Sequence, residues 1–226
     1  MASYTELSFM SSAESQALRE RFDKAQAEGK TEELSNRHRL MFDDEKLAQK
    51  LYQRWSNKTF MKLTDEYGDE WDQEGLNIRF RLVKYDPGQG FDTHEDGTTK
   101  LDWNVETMAT FMIYLNDVPR EACGATVFDH LTLQPKEGLL VVFPVAHQYH
   151  KGETVKITKY FLRTDVVYRG DPSKLRAPME RKAYFQAFKL AQTLQDETYW
   201  NQASEKEIEL RRAMRVSLSQ SLTMKW

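Results

Sequence analysis

The stretch Tyr85–Asp96, YDPGQGFDTHED, ends in a histidine and an aspartate two residues apart, His94 and Asp96. In an extended segment residues i and i+2 project to the same side, so one imidazole and one carboxylate converge on one point. A second histidine would complete a 2-His-1-carboxylate facial triad, the ligand set that holds non-haem Fe(II) with coordination positions left open. Two histidines are available downstream, His147 and His150 in VAHQYHKGETV. Their i, i+3 spacing in a strand-to-loop segment points them in different directions, so only one of them is expected to reach the metal.

The elements that must position these groups follow from the patterning. Residues 11–28 read as a helix, with Ser11 and Glu14 as a capping box, Ala13, Leu18 and Phe22 as its apolar face and Gly29 as its stop. Residues 43–56 read as a second helix, opening on Asp43 and Asp44, with Leu47, Leu51 and Trp55 one above the other. The Ser35–Arg39 segment between them reads as a polar link whose arginines face either the site or solvent. From residue 76 the texture becomes that of strands. Asn77–Lys84, Met108–Leu115, Gly124–Phe128, Leu131–Leu133, Leu139–Phe143 and Lys159–Tyr168 are short apolar or alternating runs, with turns at Pro87–Gly90 and Pro135–Gly138. LLVVF is apolar throughout and must be buried on both faces. Residues 92–106 read as a loop able to close over a substrate. Helical patterns return at Tyr184, Phe188 and Ala191, after Pro178, and over 204–218, where Leu210, Ala213, Met214 and Leu218 share a face and Arg211, Arg212 and Arg215 form a solvated basic spot. Two helices, a series of short strands and two more helices predict a sandwich or jelly roll with helices packed outside.

The bulk numbers bound the possibilities. A chain of 226 residues, 40% hydrophobic, has the material for one sizeable core. A net charge of −3 argues against a nucleic-acid binder, and no basic aromatic stretch appears. The single cysteine, Cys123, excludes an internal disulfide and suits a reducing compartment. No apolar run approaches the ~20 residues of a membrane helix, and the N-terminal residues lack the pattern of a secretory signal. A cytoplasmic protein is expected; its oligomeric state is not legible.

The motifs RLVKYDPGQGFDTHEDG, TFMIYLNDV, CGATVF, PKEGLLVVFP, HKGETV and KYFLRTDVVY occur in the order and spacing of the prolyl 4-hydroxylase-like Fe(II)/2-oxoglutarate oxygenases. The chain resembles that family strongly over about residues 75–169 and more loosely from Arg37 to Trp55. The resemblance implies a double-stranded β-helix, a cupin-like jelly roll with N-terminal helices packed on the sheet, an oxygenase domain over 1–170 and a C-terminal helical extension over 171–226. It also implies Fe(II), 2-oxoglutarate as co-substrate and O2. His94 and Asp96 match the first two ligands. His150 matches the third, because Gly152 and Val155 follow it at the family's spacing, whereas His147 lacks both. Lys159, nine residues after His150, matches the basic anchor of the 2-oxoglutarate carboxylate, and Arg163 on the same strand face is its competitor. A lysine in a buried strand is costly unless paired, which a bound dicarboxylate would explain. Tyr85 and Tyr114 match positions that direct a phenol at the co-substrate, and each reads equally as a core residue hydrogen-bonded at its hydroxyl. No catalytic residue beyond the metal site is implied. Cys123 stands where the family usually has the first of two glycines before Gly124.

Three readings follow. The resemblance implies an oxygenase that oxidises an unactivated C–H bond, with a proline-containing peptide as substrate. The alternative is a free amino acid or related metabolite, hydroxylated or closed into a ring, with Arg79, Arg81 and Lys84 as possible substrate-binding cations. The third is a non-catalytic iron or oxygen-sensing interaction protein.

Overall fold

The computed structural model describes residues 3–55 and 60–223, with side chains up to residue 214. In chain order its elements are β1 (Tyr4–Glu6), α1 (Ser12–Ala27), β2 (Glu32–Leu34), β3 (Arg37–Asp43), α2 (Glu45–Arg54), β4 (Lys62–Thr64), β5 (Glu70–Leu76), β6 (Arg79–Tyr85) and β7 (Phe91–His94). They continue as β8 (Lys100–Asp102), β9 (Val105–Tyr114), β10 (Thr126–Phe128), β11 (Thr132–Leu133), β12 (Leu140–Pro144), β13 (His150–Gly152), β14 (Lys159–Gly170), α3 (Pro178–Leu194) and α4 (Glu197–Thr223). The chain divides into two compact units, the first made of 1–59, 75–98 and 108–167, the second of 60–74, 99–107 and 168–226.

The first unit is built on two antiparallel sheets. One runs β1-β12-β9-β14-β6-β3-β2 and the other β11-β10-β13-β7. β9 and β12 are buried at every position, as strands covered on both faces must be. Met112, Tyr114, Phe128, Leu139, Val141 and Phe143 form a core cluster drawn from both sheets. Two helices cover the larger sheet. α1 starts at the Ser11–Glu14 capping box and buries Phe22, which packs edge-on to Tyr160 at 5.8 Å. It stops at Gly29, whose φ of +68° is the left-handed conformation that glycine adopts freely. α2 is capped by the Asp44 side chain and leads into Trp55, buried edge-on to Phe111 at 5.5 Å. Glu14 ties the two helices together by accepting from Arg54 and Lys50.

In the second unit α3 opens on Pro178 and packs beside α4, with Phe188 edge-on to Trp200 at 5.9 Å. Arg181, on α3, is buried and donates to Asp65 and Asp69 at 2.8 and 2.7 Å. Among the described residues no helix is long and apolar enough to cross a membrane.

Three expectations are corrected. Arg37–Asp43 is a strand, not part of a polar link, because it pairs with β6 along its whole length and with β2 on its other edge. Residues 92–106 contain two short strands, β7 and β8, held by pairing to β13 and β9 rather than by any hydrophobic period of their own. The last helix spans Glu197–Thr223 and not 204–218; the side chains of Arg215 and Leu218 lie outside the described residues.

Candidate metal centre

β7 and β13 are neighbours in the smaller sheet, and their register makes His94 and His150 Cα partners. Asp96 follows two residues after His94, as the alternation of an extended segment requires. One ligand atom from each of His94, Asp96 and His150 lies within 4.8 Å of the others. His94 Nε2 is 3.7 Å and His150 Nε2 3.9 Å from the Asp96 carboxylate. His147 sits in the preceding turn with φ +57°, exposed and outside this group.

The surroundings prepare both imidazoles for a metal. His94 Nδ1 is 2.8 Å from the Asp92 carbonyl, and His150 Nδ1 is 3.0 Å from the Gln148 carbonyl. A carbonyl only accepts, so each Nδ1 carries the proton and each Nε2 presents a lone pair toward the aspartate. His150 is wedged between Phe128, stacked at 5.3 Å, and Phe143, edge-on at 5.0 Å. Burial lowers its pKa, with Asp96 opposing, and thereby favours the neutral, ligating form.

Asp96 is nearly fully buried, which by itself would raise its pKa. The charge of Arg163 and the hydrogen bond from Thr110 act against that, and the carboxyl is held well below the usual carboxylate range. Thr110 Oγ1 donates to its Oδ2 and Arg163 Nη1 to its Oδ1. Thr110 and Phe143 are cross-strand partners on the larger sheet. Directly opposed residues of an antiparallel pair share a face, so one such pair supports both Asp96 and His150.

Lys159 and Tyr85 are likewise cross-strand partners, on β14 and β6. Lys159 is 2% exposed, and its Nζ donates to the Gly124 carbonyl at 3.0 Å and lies 4.5 Å from the Tyr85 ring centroid. Burial lowers its pKa to about 8, against the pull of Glu153. A buried ammonium carries three donors, and one carbonyl leaves most of that capacity for an outside anion. Tyr85 is buried and its hydroxyl pKa is pushed up to about 12, by burial first and against the charges of Arg37 and Arg163. Tyr114 is fully buried and spends its hydroxyl proton on Thr126 Oγ1 at 2.6 Å.

The cations named from the sequence lie elsewhere. Arg79 forms an exposed ion pair with Asp43. Arg81 donates to Asp165 at 2.8 Å, and Asp165 also accepts from Arg163 at 3.2 Å. Lys84 lies near Asp86 and bonds Gln26. Thr110 and Phe91 were not read from the sequence as part of the site, and Arg37 only as an arginine facing either the site or solvent. Phe91 opens β7 three residues before His94, and its ring touches that imidazole at 4.0 Å between centroids.

The donor set fits Fe(II): two neutral imidazoles and one carboxylate converging on one point. The isolated Lys159 fits the far carboxylate of a dicarboxylate co-substrate. Comparison with known proteins agrees. Residues 80–164, which include all three ligands and Lys159, match the model of the 2OG-Fe(II) oxygenase superfamily. No curated protein matches the chain. Among solved structures, a Pseudomonas putida prolyl-4-hydroxylase is similar with a TM-score of 0.55 and 17% identity, over 75% of this chain and 92% of that one. The viral collagen prolyl hydroxylase of Paramecium Bursaria Chlorella virus-1, in its 2OG complex, gives 0.54 and 21% over 75% and 97%. A Trichoplax adhaerens prolyl hydroxylase, in complex with a hypoxia inducible factor oxygen degradation domain peptide fragment, gives 0.52 and 13% over 76% and 84%. At these identities the likeness is one of fold, the double-stranded β-helix. The triad thus lies inside a segment that matches the 2OG-Fe(II) oxygenase superfamily, on a fold like that of the prolyl hydroxylases, and together these support a 2-oxoglutarate-dependent dioxygenase.

Proposed function

We propose that this oxygenase hydroxylates an unactivated C–H bond of its substrate, with release of succinate and CO2. The observation that carries the reading is the pairing of a complete His94–Asp96–His150 ligand set with a buried lysine that, among the described residues, forms no ion pair. When bound, Fe(II) supplies the activation of O2 against 2-oxoglutarate that side chains alone cannot perform. His94, Asp96 and His150 would hold it from one side. Lys159 would hold the far carboxylate of 2-oxoglutarate, with Tyr85 against its ammonium. Thr110 and the two backbone carbonyls fix the orientation of the ligands, and Phe91, Phe128 and Phe143 keep water from the imidazoles. The free Cys123 fits a reducing compartment, and the cytoplasm is the proposed location.

The fold relatives favour a prolyl group as the oxidised unit, by likeness alone. The Arg37 guanidinium, which has no carboxylate partner among the described residues and lies against Phe91 beside His94, favours the second reading, a free amino acid or related metabolite. Succinate release measured with Fe(II), 2-oxoglutarate and a panel of proline peptides and free amino acids separates the two. Iron-dependent succinate formation that persists in Asp96→Ala would sink the oxygenase assignment to this site.

A further inference from the structure

Arg37 opens β3 one position before His38, which pairs with Lys84, so it lies beside Tyr85. Its guanidinium carbon is 4.2 Å from the Phe91 ring centroid, and that ring is 4.0 Å from the ring of His94. One aromatic ring therefore separates a cation from a metal-binding imidazole. Arg37 is half-buried and, among the described residues, has no carboxylate within ion-pair distance; its guanidinium donates to the Asn36 side chain at 2.7 Å. Arg39, two residues on, is neutralised by Glu32 across the β2–β3 pair. The difference is not one of supply, since the neighbouring strand has acids and places none at Arg37.

Arg163 approaches from the other side. Its Nη1 donates to Asp96 and its Nη2 to Asp165, which leaves Nε buried with no hydrogen-bond partner. Buried donors are nearly always satisfied, so an orphaned one beside a site calls for an acceptor from outside. The Asp96 oxygen that accepts from Arg163 lies 3.7 Å from His94 Nε2, so Arg37, through Phe91, and Arg163, through Asp96, flank the same imidazole.

The co-substrate does not account for these donors. If the oxygenase reading above holds, 2-oxoglutarate has two carboxylates, one spent on the metal and one on Lys159. We propose that Arg37 and Arg163 Nε form a second anion subsite that binds a carboxylate of the oxidised substrate. That substrate is a small carboxylic acid, and its reacting carbon lies within a few bonds of the carboxylate, because only the Phe91 and His94 rings intervene between Arg37 and the metal position.

The test uses the full chain loaded with Mn(II) and 2-oxoglutarate, which broadens the NMR lines of anything bound beside the metal. The probes are propionate and propionamide, equal in shape and different in charge. Propionate is expected to broaden at least tenfold more than propionamide. Arg37→Gln should lose at least fivefold of the propionate effect, and Arg37→Lys should restore part of it, since the charge returns without the planar fork. Equal broadening of the two probes, no broadening of either, or a propionate effect unchanged in Arg37→Gln overturns the subsite. So does succinate release driven by an amidated proline-rich peptide free of acidic residues and equal in wild type and Arg37→Gln. Water-proton relaxation measured in the same samples reports Mn(II) binding independently. If wild type binds no Mn(II), the metal centre itself fails; if Mn(II) and 2-oxoglutarate bind and propionate does not, only the subsite fails.

Discussion

His94 and His150 face each other as Cα partners across the β7–β13 pair, with ring centroids 4.3 Å apart. Each takes its Nδ1 partner from the backbone carbonyl two residues earlier, Asp92 for one and Gln148 for the other. The ligand geometry is thus set by strand register, and a slip of one residue would turn one imidazole to the opposite face. His150→Ala is expected to abolish Mn(II) binding and iron-dependent succinate release. His147→Ala, which removes an exposed turn residue, should leave Mn(II) affinity at the wild-type value. Isothermal titration with Mn(II) reads both, and a loss confined to His147→Ala would reassign the third ligand.

Thr110 donates to the carboxylate oxygen of Asp96 that lies nearer His150. Thr110→Val keeps the shape and removes the donor. Outer hydrogen bonds to metal ligands typically carry about 10–100-fold in metal affinity. The expected result is a Mn(II) Kd weaker by about that factor with the thermal midpoint of the metal-free protein little changed. A Kd identical to wild type would show that Arg163 alone orients Asp96.

Lys159 couples function to stability with opposite signs. Its pKa is lowered to about 8 by burial, whereas the unfolded chain holds an ordinary lysine near 10.4. Between those values the unfolded chain binds the proton that the folded chain has released, so the stability of the ligand-free protein rises with pH across that window. Below about 8 the cost of the buried charge is fully present. Lys159→Met should therefore stabilise the ligand-free protein at pH 7 by on the order of 1–3 kcal/mol and flatten the alkaline rise, read by urea denaturation at several pH values. The same substitution should weaken 2-oxoglutarate by on the order of 100-fold, the scale of a lost buried charge pair. Unaltered 2-oxoglutarate affinity in Lys159→Met would move the anchor to Arg163.

The strands that carry the site were legible because burial on both faces leaves a plain signature: MATFMIYL became β9, LLVVF became β12, and KYFLRTDVVY became β14. His94, Asp96, His150 and Lys159 were legible as spacing. β3 was not, since RHRLMFD is half-buried along most of its length and shows no period of two; its pairing with β6 creates it. β7 and β8 are too short to carry a pattern and exist through their partners. Thr110 looked like one more β-branched residue in an apolar strand. Its role depends on Asp96 arriving from the other sheet, a contact no local reading contains. Arg37 was legible only as an arginine facing either the site or solvent, since its proximity to His94 passes through Phe91.

Gly124 ties the loop after Cys123 to Lys159, the proposed co-substrate anchor. Its φ is +80°, and a Cβ there would lie 2.7 Å from Val155 Cγ2. Its carbonyl accepts the Lys159 ammonium at 3.0 Å. Alanine at this position meets two penalties, a left-handed backbone costing about 1–2 kcal/mol and an overlap with a stiff valine costing about 1–3 kcal/mol. Gly124→Ala should lower stability by a few kcal/mol and raise the KM for 2-oxoglutarate, because the carbonyl moves with the loop. Adding Val155→Ala should remove the overlap but not the backbone penalty. The double variant is therefore expected to regain part of the 2-oxoglutarate affinity while staying less stable than wild type. If Gly124→Ala destabilises the fold yet leaves the KM for 2-oxoglutarate unchanged, the Gly124 carbonyl does not position Lys159.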